Sequence, residues 1–290
     1  MLRGKYHVCD AFGIPIYIEL SFIFLLVLFV MDFGSFTFGV AAALVLAISV
    51  TLHELGHALT ARAFGYRTRD ITLSLLGGCA SLVGMPHKAW QEFLTAIAGP
   101  AVSFALSFAG IAGLWAVSAE GGFAAALQEV LSEVLGTFGI AVEWGSGLYV
   151  SVKMKQIAGM LGYFAIMNMM LGFFNLLPGF PMDGGRIFRS AARLFTTRTR
   201  ATWLAMVVGR VCAGLLLLGP LLGITHIWII PIGGNFFMRL LIAWMIWNEG
   251  WREYQQTLVE EAWGDHWDYS ARVSPPPYGG DDDEAEVRRR

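Results

Sequence analysis

The sequence predicts an all-α membrane protein with six membrane-spanning helices and one short β-hairpin between the second and the third. Hydrophobic residues make up 56% of the 290 residues and charged residues only 14%, and the mean hydropathy is +0.59. A soluble domain carries about 25% charged residues. Several apolar runs approach or exceed the roughly 20 residues that a helix needs to cross a bilayer. The lipid bilayer is therefore an expected partner, whereas no run of basic residues indicates a nucleic acid.

The first two spans follow a short polar leader at residues 1–13. The first span is predicted at residues 14–31, where Glu19 is the only charged residue. This apolar run is longer than the core of a cleavable signal peptide, so we expect it to stay in the membrane. The second span is predicted at residues 38–64.

A pattern typical of strands separates the second span from the third. Residues 71–75 alternate between apolar and polar, Gly77-Gly78 interrupts the alternation, and residues 79–83 can return as a second strand. We therefore predict a strand pair at membrane depth within residues 68–84.

Four more spans follow, predicted at residues 93–117, 156–177, 202–222 and within 227–247. The small residues at 98–101 would let another helix approach the third span closely. Residues 119–155 are too polar for a span and suit an amphipathic surface segment. The chain thus divides into a membrane domain at residues 1–250 and a polar, disordered tail at 251–290.

Basic residues predict the orientation of the chain. With the N-terminus in the cytoplasm, six spans also place residues 62–92, 181–201 and the C-terminus there, and most Lys and Arg residues fall on that side. We therefore expect a multi-pass protein of the cell membrane with both termini cytoplasmic. The second and fourth spans then end on the cytoplasmic side, which brings His53 and His57 towards Asp183.

The most specific motif is His53-Glu54-Leu55-Gly56-His57, near the end of the second span. Residues four apart share one face of a helix, so both imidazoles can bind one metal ion, and Glu54 beside them can deprotonate a bound water. The alternative is a helix with two incidental histidines. Ionisable residues in so apolar a helix are costly and usually functional, which disfavours that alternative.

Asp183 is the strongest candidate for a third ligand of a zinc ion. It follows Pro178-Gly179-Phe180-Pro181 and precedes two glycines, so the backbone can bend there. The alternative role for Asp183 is a helix N-cap. His87 and His226 are weaker ligand candidates, because no other candidate ligand lies near them at a suitable spacing.

Two asparagines of the fourth span lie seven residues apart, on one helix face. A side-chain amide of Asn175 or Asn168 could stabilise an oxyanion. For Asn168, a hydrogen bond between spans remains an equal alternative.

These motifs together resemble the site-2 protease family of intramembrane zinc metalloproteases. The resemblance lies in the His53–His57 motif, in Ala98-Gly99-Pro100, and in residues 174–178 with Pro181-Met182-Asp183-Gly184-Gly185-Arg186. Residues 13–16 are also similar to the start of the family's first span. The similarity extends from about residue 10 to residue 250.

The resemblance implies a six-helix core and one zinc ion per chain, with His53, His57 and Asp183 as ligands. It also implies Glu54 as the catalyst and Asn175 as a polar active-site residue. Family members cleave membrane-spanning helices of other proteins, commonly an anti-sigma factor or a sigma-factor precursor. The sequence shows no recognisable PDZ insertion and no room for regulatory modules after residue 250. We therefore expect a minimal form of the family.

The predicted function is that of a zinc-dependent intramembrane endopeptidase. Its substrate would be a transmembrane protein that unwinds locally and adds a strand to an edge within residues 68–84. A regulatory membrane protein is a possible further partner. The alternative is a membrane protein that binds or transports metal, for which several ligand clusters along a path would be expected. A catalytically inactive scaffold ranks last, because all the key residues are present.

Overall fold

The computed structural model describes residues 4–32, 36–74, 77–83, 88–117, 152–222, 226–227, 230–231 and 236–263. The helices, numbered in chain order over these residues, are α1 (Leu20–Asp32), α2 (Phe36–Ala63), α3 (Ala89–Val117), α4 (Val152–Asn175), α5 (Asp183–Ala192), α6 (Arg198–Leu218) and α7 (Phe236–Trp263). The strands are β1 (Lys5–Ala11), β2 (Ile14–Glu19), β3 (Arg67–Ser74), β4 (Gly77–Val83), β5 (His226–Ile227) and β6 (Ile230–Pro231). A 3-10 turn, Gly219–Leu222, follows α6.

The N-terminal region differs from the prediction, because residues 5–19 form strands. β1 and β2 pair antiparallel across a tight turn at Phe12-Gly13, where both residues have a positive φ. Consecutive positive φ values are typical of the two-residue hairpin turn, and glycine adopts them without strain. The prediction of an all-α protein with a polar leader and a first span from residue 14 is therefore wrong here. The first helix begins only at Leu20.

The alternation of Ile14, Ile16 and Ile18 explains why β2 is a strand. Ile14 and Ile16 are buried, and they belong to one core cluster with Ile71 of β3 and Phe22 of α1. In a strand, every second residue faces the same side, so a sheet can place this isoleucine series on one packed face. The same cluster contains residues of α2 next to the histidine motif. The sheet is therefore part of the support for that helix.

The predicted strand pair after the second span is present and belongs to a larger sheet. β3 and β4 pair antiparallel, and β2 pairs parallel with β3. The four strands lie in the order β1-β2-β3-β4, so β4 is an edge strand of the sheet that the described residues form. The position of this sheet relative to a bilayer stays a prediction.

Among the described residues, three helices are long and apolar enough to cross a membrane. They are α2, α3 and α6, and they match the predicted second, third and fifth spans. α4 contains a shorter apolar stretch, Gly159–Asn175, and α1 has 13 residues. A total of six spans remains a prediction.

The C-terminal helix differs from the predicted sixth span. α7 begins at Phe236, after the short β5–β6 pair, and it continues to Trp263. Helical structure thus extends beyond residue 250, where the polar tail was predicted to begin. Residues 119–151 of the predicted surface segment lie outside the described residues, and its last residues, from Val152, begin α4.

α7 runs back along α6. Arg198 at the start of α6 pairs with Glu260 at 2.9 Å, and Thr202 lies 3.4 Å from Thr257 between their Oγ1 atoms. Further along, the guanidinium of Arg210 lies over the ring of Trp247. The polar end of α7 therefore packs against the first turns of α6.

Candidate metal centre

Three ligand-type atoms from distant parts of the chain meet in a buried position. Nε2 of His53 and Nε2 of His57 each lie 3.1 Å from Oδ2 of Asp183, and the two nitrogens lie 3.2 Å apart. All three side chains are buried. Ligand atoms arranged tetrahedrally around zinc lie about 3.3 Å from one another, so this spacing fits a single small metal ion. Among the described residues, these three form the group that could hold a metal.

Helix α3 orients both histidine rings. Nδ1 of His57 donates a hydrogen bond to the carbonyl oxygen of Thr95 at 2.7 Å, and Nδ1 of His53 lies 2.9 Å from Oγ of Ser103. A carbonyl only accepts, so Nδ1 of His57 carries the proton and Nε2 presents its lone pair. Such partners fix metal-ligating imidazoles in many proteins. Sequence reasoning missed Thr95 and Ser103, because neither has a characteristic spacing from the histidines.

Gly99 of α3 leaves the space that the two rings occupy. A Cβ atom at this position would lie 2.6 Å from Nε2 of His53 and closer still to Nε2 of His57. The sequence predicted a close approach at residues 98–101, although by a neighbouring helix. The structure places the two imidazoles there as well.

Asp183 is the first residue of α5 and does not cap that helix. The N-cap position is Met182, which has no side-chain capping bond. The carboxylate points to the histidines, so the alternative N-cap role is not adopted. Burial raises the pKa of Asp183, but the imidazoles of His57 and His53 lower it by more and hold it well below its ordinary value.

Glu54 lies between the histidine pair and the edge strand. Its Oε2 accepts a hydrogen bond from the backbone N–H of Ala80 in β4 at 3.2 Å. Gly78 of the same strand packs against this side chain, since a Cβ there would lie 2.8 Å from Oε1. Glu54 is buried. The carboxylate is thus held at the edge of the sheet.

The two asparagines of α4 have different surroundings. Asn168 is buried and donates to Oγ of Ser49 in α2 at 2.9 Å, so the alternative role for Asn168, a hydrogen bond to another helix, is present. Asn175, the last residue of α4, donates through Nδ2 to the carbonyl oxygen of Leu171 at 2.9 Å. Of the weaker ligand candidates, His87 lies outside the described residues, and His226 belongs to β5, where the structure describes the backbone only.

Comparison with known proteins assigns the family. The model of peptidase family M50 matches residues 41–219, which include the histidine motif and Asp183. The chain belongs to peptidase family M50. The predicted resemblance to site-2 proteases is confirmed, because a solved site-2 protease from Methanocaldococcus jannaschii has a similar structure. The TM-score is 0.54 at 25% identity, over 87% of this chain and 95% of that one.

Two zinc metalloproteases are similar in sequence. A candidate zinc metalloprotease of Synechocystis sp. is 31% identical over 274 residues, which cover 90% of this chain. A zinc metalloprotease of Methanocaldococcus jannaschii is 31% identical over 220 residues, which cover 75% of it. The matched parts are 62% and 54% of those relatives, so the chain spans little more than half of their length.

Proposed function

We propose that this protein is a zinc-dependent endopeptidase that hydrolyses peptide bonds in transmembrane segments of other proteins. The observation that carries the proposal is that His53, His57 and Asp183 are buried with their ligand atoms close together, beside the carboxylate of Glu54. Membership of the M50 family and the zinc metalloproteases among its relatives support it. The helices long enough to cross a membrane support the membrane setting.

We assign His53, His57 and Asp183 as the zinc ligands. Two imidazoles and one carboxylate are a donor set that catalytic zinc accepts while keeping one position open. When bound, zinc lowers the pKa of a coordinated water to about 7 and polarises a substrate carbonyl. The Nδ1 partners on α3 keep both Nε2 atoms directed at the centre.

We assign Glu54 as the general base and acid. A carboxylate that directly follows the first histidine on the helix lies beside the metal without needing to bind it. It accepts the proton of the attacking water and later donates it to the leaving amine. The N–H of Ala80 holds Oε2 at 3.2 Å, which keeps the carboxylate in place.

Asn175 is proposed as an oxyanion donor. An amide nitrogen carries two hydrogens, and Nδ2 of Asn175 donates one of them to the carbonyl oxygen of Leu171. The second hydrogen can serve a carbonyl oxygen that gains negative charge during hydrolysis.

The proposed substrate is a transmembrane protein that unwinds locally and pairs with β4. Within an intact helix the peptide bonds are shielded, so an extended segment is required. β4 is an edge strand, and the N–H of Ala80 points at Glu54, so an added strand would lie beside the carboxylate. In lipid, such pairing also satisfies backbone groups that have no water to bind.

We propose that the protein crosses the membrane several times, with both termini and the active site on the cytoplasmic side. The support is the positive charge on and around α5, which carries Asp183: Arg186, Arg189, Arg193, Arg198 and Arg200.

The alternative, a metal-binding or transport protein, differs in its chemistry. It needs metal but not a base, so substitution of Glu54 by Gln separates the two functions. Comparative proteomics of membrane fractions should show a transmembrane protein cut by the wild type and left intact by Glu54→Gln. Glu249→Gln, a change in the polar part of α7, is the matched control and should cut normally. Equal cleavage by wild type and Glu54→Gln would contradict the proposal.

A further inference from the structure

A buried cluster of charged residues joins three helices, two of which, α3 and α5, contribute to the metal centre. Arg189 of α5 is 1% exposed. Its Nε donates to Oε1 of Glu92 in α3 at 2.7 Å, and its Nη1 donates to Oε1 of Glu253 in α7 at 2.6 Å. Arg193 donates to the other oxygen of Glu92 at 2.9 Å. We call these four residues the charge cluster.

The charge cluster connects two of the helices that form the metal site. Glu92 lies one helical turn before Thr95, whose carbonyl orients His57. Arg189 lies on the ten-residue helix whose first residue is Asp183. The Glu92–Arg189 contact therefore links the helix that orients the histidines directly to the helix that carries the aspartate.

Arg189 also contacts the loop that leads into Asp183. Its guanidinium lies over the ring of Phe180, 5.0 Å from the centroid. A guanidinium is planar and its donors have fixed directions, so contacts with two carboxylates and a ring restrict its orientation strongly. Burial raises the pKa of Glu253, but Arg189 and Arg186 lower it by more and keep this carboxyl ionised.

A contribution to general stability alone does not account for this arrangement. Removing two charges from water costs several kcal/mol per ion, and apolar residues of similar volume often replace a buried ion pair without loss of stability. Apolar residues do not reproduce the fixed directions of the hydrogen bonds that Arg189 makes. These directions matter for a metal site, because ligand distances tolerate errors of only about 0.2 Å.

We propose that Arg189 is a positioning residue for the metal centre, which sets Asp183 against His53 and His57 through Glu92 and Glu253. This inference rests on the proposed ligand assignment. Changes in residues that orient metal ligands typically lower metal affinity about 10- to 100-fold. We expect a loss of this size when Arg189 is replaced by methionine, which fills a similar volume without the directed contacts.

The test measures zinc affinity of the full-length protein in detergent, by competition with a chromophoric chelator. Arg189→Met should raise the Kd for zinc about 10- to 100-fold, and Arg189→Lys should restore part of the affinity. The absorption spectrum of the cobalt-substituted protein should change in Arg189→Met, because it reports ligand geometry. The matched control is Arg252→Met, which breaks the exposed ion pair with Glu249 within α7 and should leave the Kd unchanged.

The melting temperature of the zinc-free protein separates positioning from stability. A lower melting temperature with an unchanged Kd and cobalt spectrum in Arg189→Met would overturn the proposal. If that variant does not fold, Glu92→Gln keeps an acceptor and the side-chain shape, and the same outcomes apply to it. Asp183→Ala is measured alongside. Full zinc binding by that variant would refute the ligand assignment, whereas zinc loss there with normal binding by Arg189→Met would refute only the positioning role.

Discussion

Replacing Gly99 by alanine tests whether the space at the two imidazoles is required for metal binding. The new methyl group would lie 2.6 Å from Nε2 of His53 and closer to Nε2 of His57. Non-bonded heavy atoms normally stay about 3.5 Å or more apart. The two nitrogens would therefore have to shift by roughly 1 Å.

A shift of this size exceeds the tolerance of about 0.2 Å for metal–ligand distances. We expect zinc affinity to fall at least about 100-fold, the upper end of the effects seen when only an orienting partner is lost. Helix propensity acts in the opposite direction, since glycine in a helix costs roughly 0.5–1 kcal/mol relative to alanine. The variant should therefore fold while binding zinc poorly.

The assay is zinc content after gel filtration, together with the melting temperature of each variant. Gly214→Ala in α6 is the matched control, because a Cβ there meets no atom within 4 Å. It should bind zinc normally and melt at the same or a higher temperature. Normal zinc content and full cleavage in Gly99→Ala would refute the assignment of the two Nε2 atoms as ligands.

Three further predictions concern the other parts of the site. Ala80→Pro removes the N–H that holds Glu54, so it should abolish cleavage while zinc content and melting are retained. Ala80→Ser keeps the N–H and should be mild, and full activity of the proline variant would show that this hydrogen bond is not needed to hold Glu54. Asn175→Ala should retain zinc and lower kcat about 100-fold, and an unchanged rate would exclude the oxyanion role. Reporter fusions should be cytoplasmic after residues 84, 193 and 269 and external near residue 136, and a reversed result at 84 or 193 would place the site on the other face.

The metal group was predictable because its signal is local and chemically specific. The two histidines have helical spacing in an apolar run, and Asp183 stands between helix-breaking residues. Neither feature depends on details of packing. The strand pair β3–β4 was predictable for the same reason, since alternation and a glycine break are visible in a short window.

The N-terminal strands were missed because their apolar alternation continues into the apolar helix α1. A hydropathy average over residues 14–31 does not distinguish the series Ile14, Ile16, Ile18 from the start of a span. The signal that could have separated them is the period of two, together with glycine at position 13. The pairing between β2 and β3 joins residues far apart in the sequence, and no local pattern specifies such a tertiary contact.

The charge cluster was missed for a different reason. Arg189 belongs to a series of arginines that indicates a cytoplasmic segment, and nothing in the sequence separates a buried arginine from an exposed one. Its partners, Glu92 and Glu253, lie 97 and 64 residues away. Only the tertiary fold, in which side chains of α3 and α7 reach Arg189 on α5, brings them together.

The central claim is that His53, His57 and Asp183 hold zinc while Glu54 performs proton transfer. Zinc content and cleavage, measured on the same preparations of Glu54→Gln and Asp183→Ala, test it most directly. Glu54→Gln should retain about one zinc per chain and lose cleavage, because a base is not a ligand. Asp183→Ala should lose both. Full zinc in Asp183→Ala, or zinc lost from Glu54→Gln, would contradict the account.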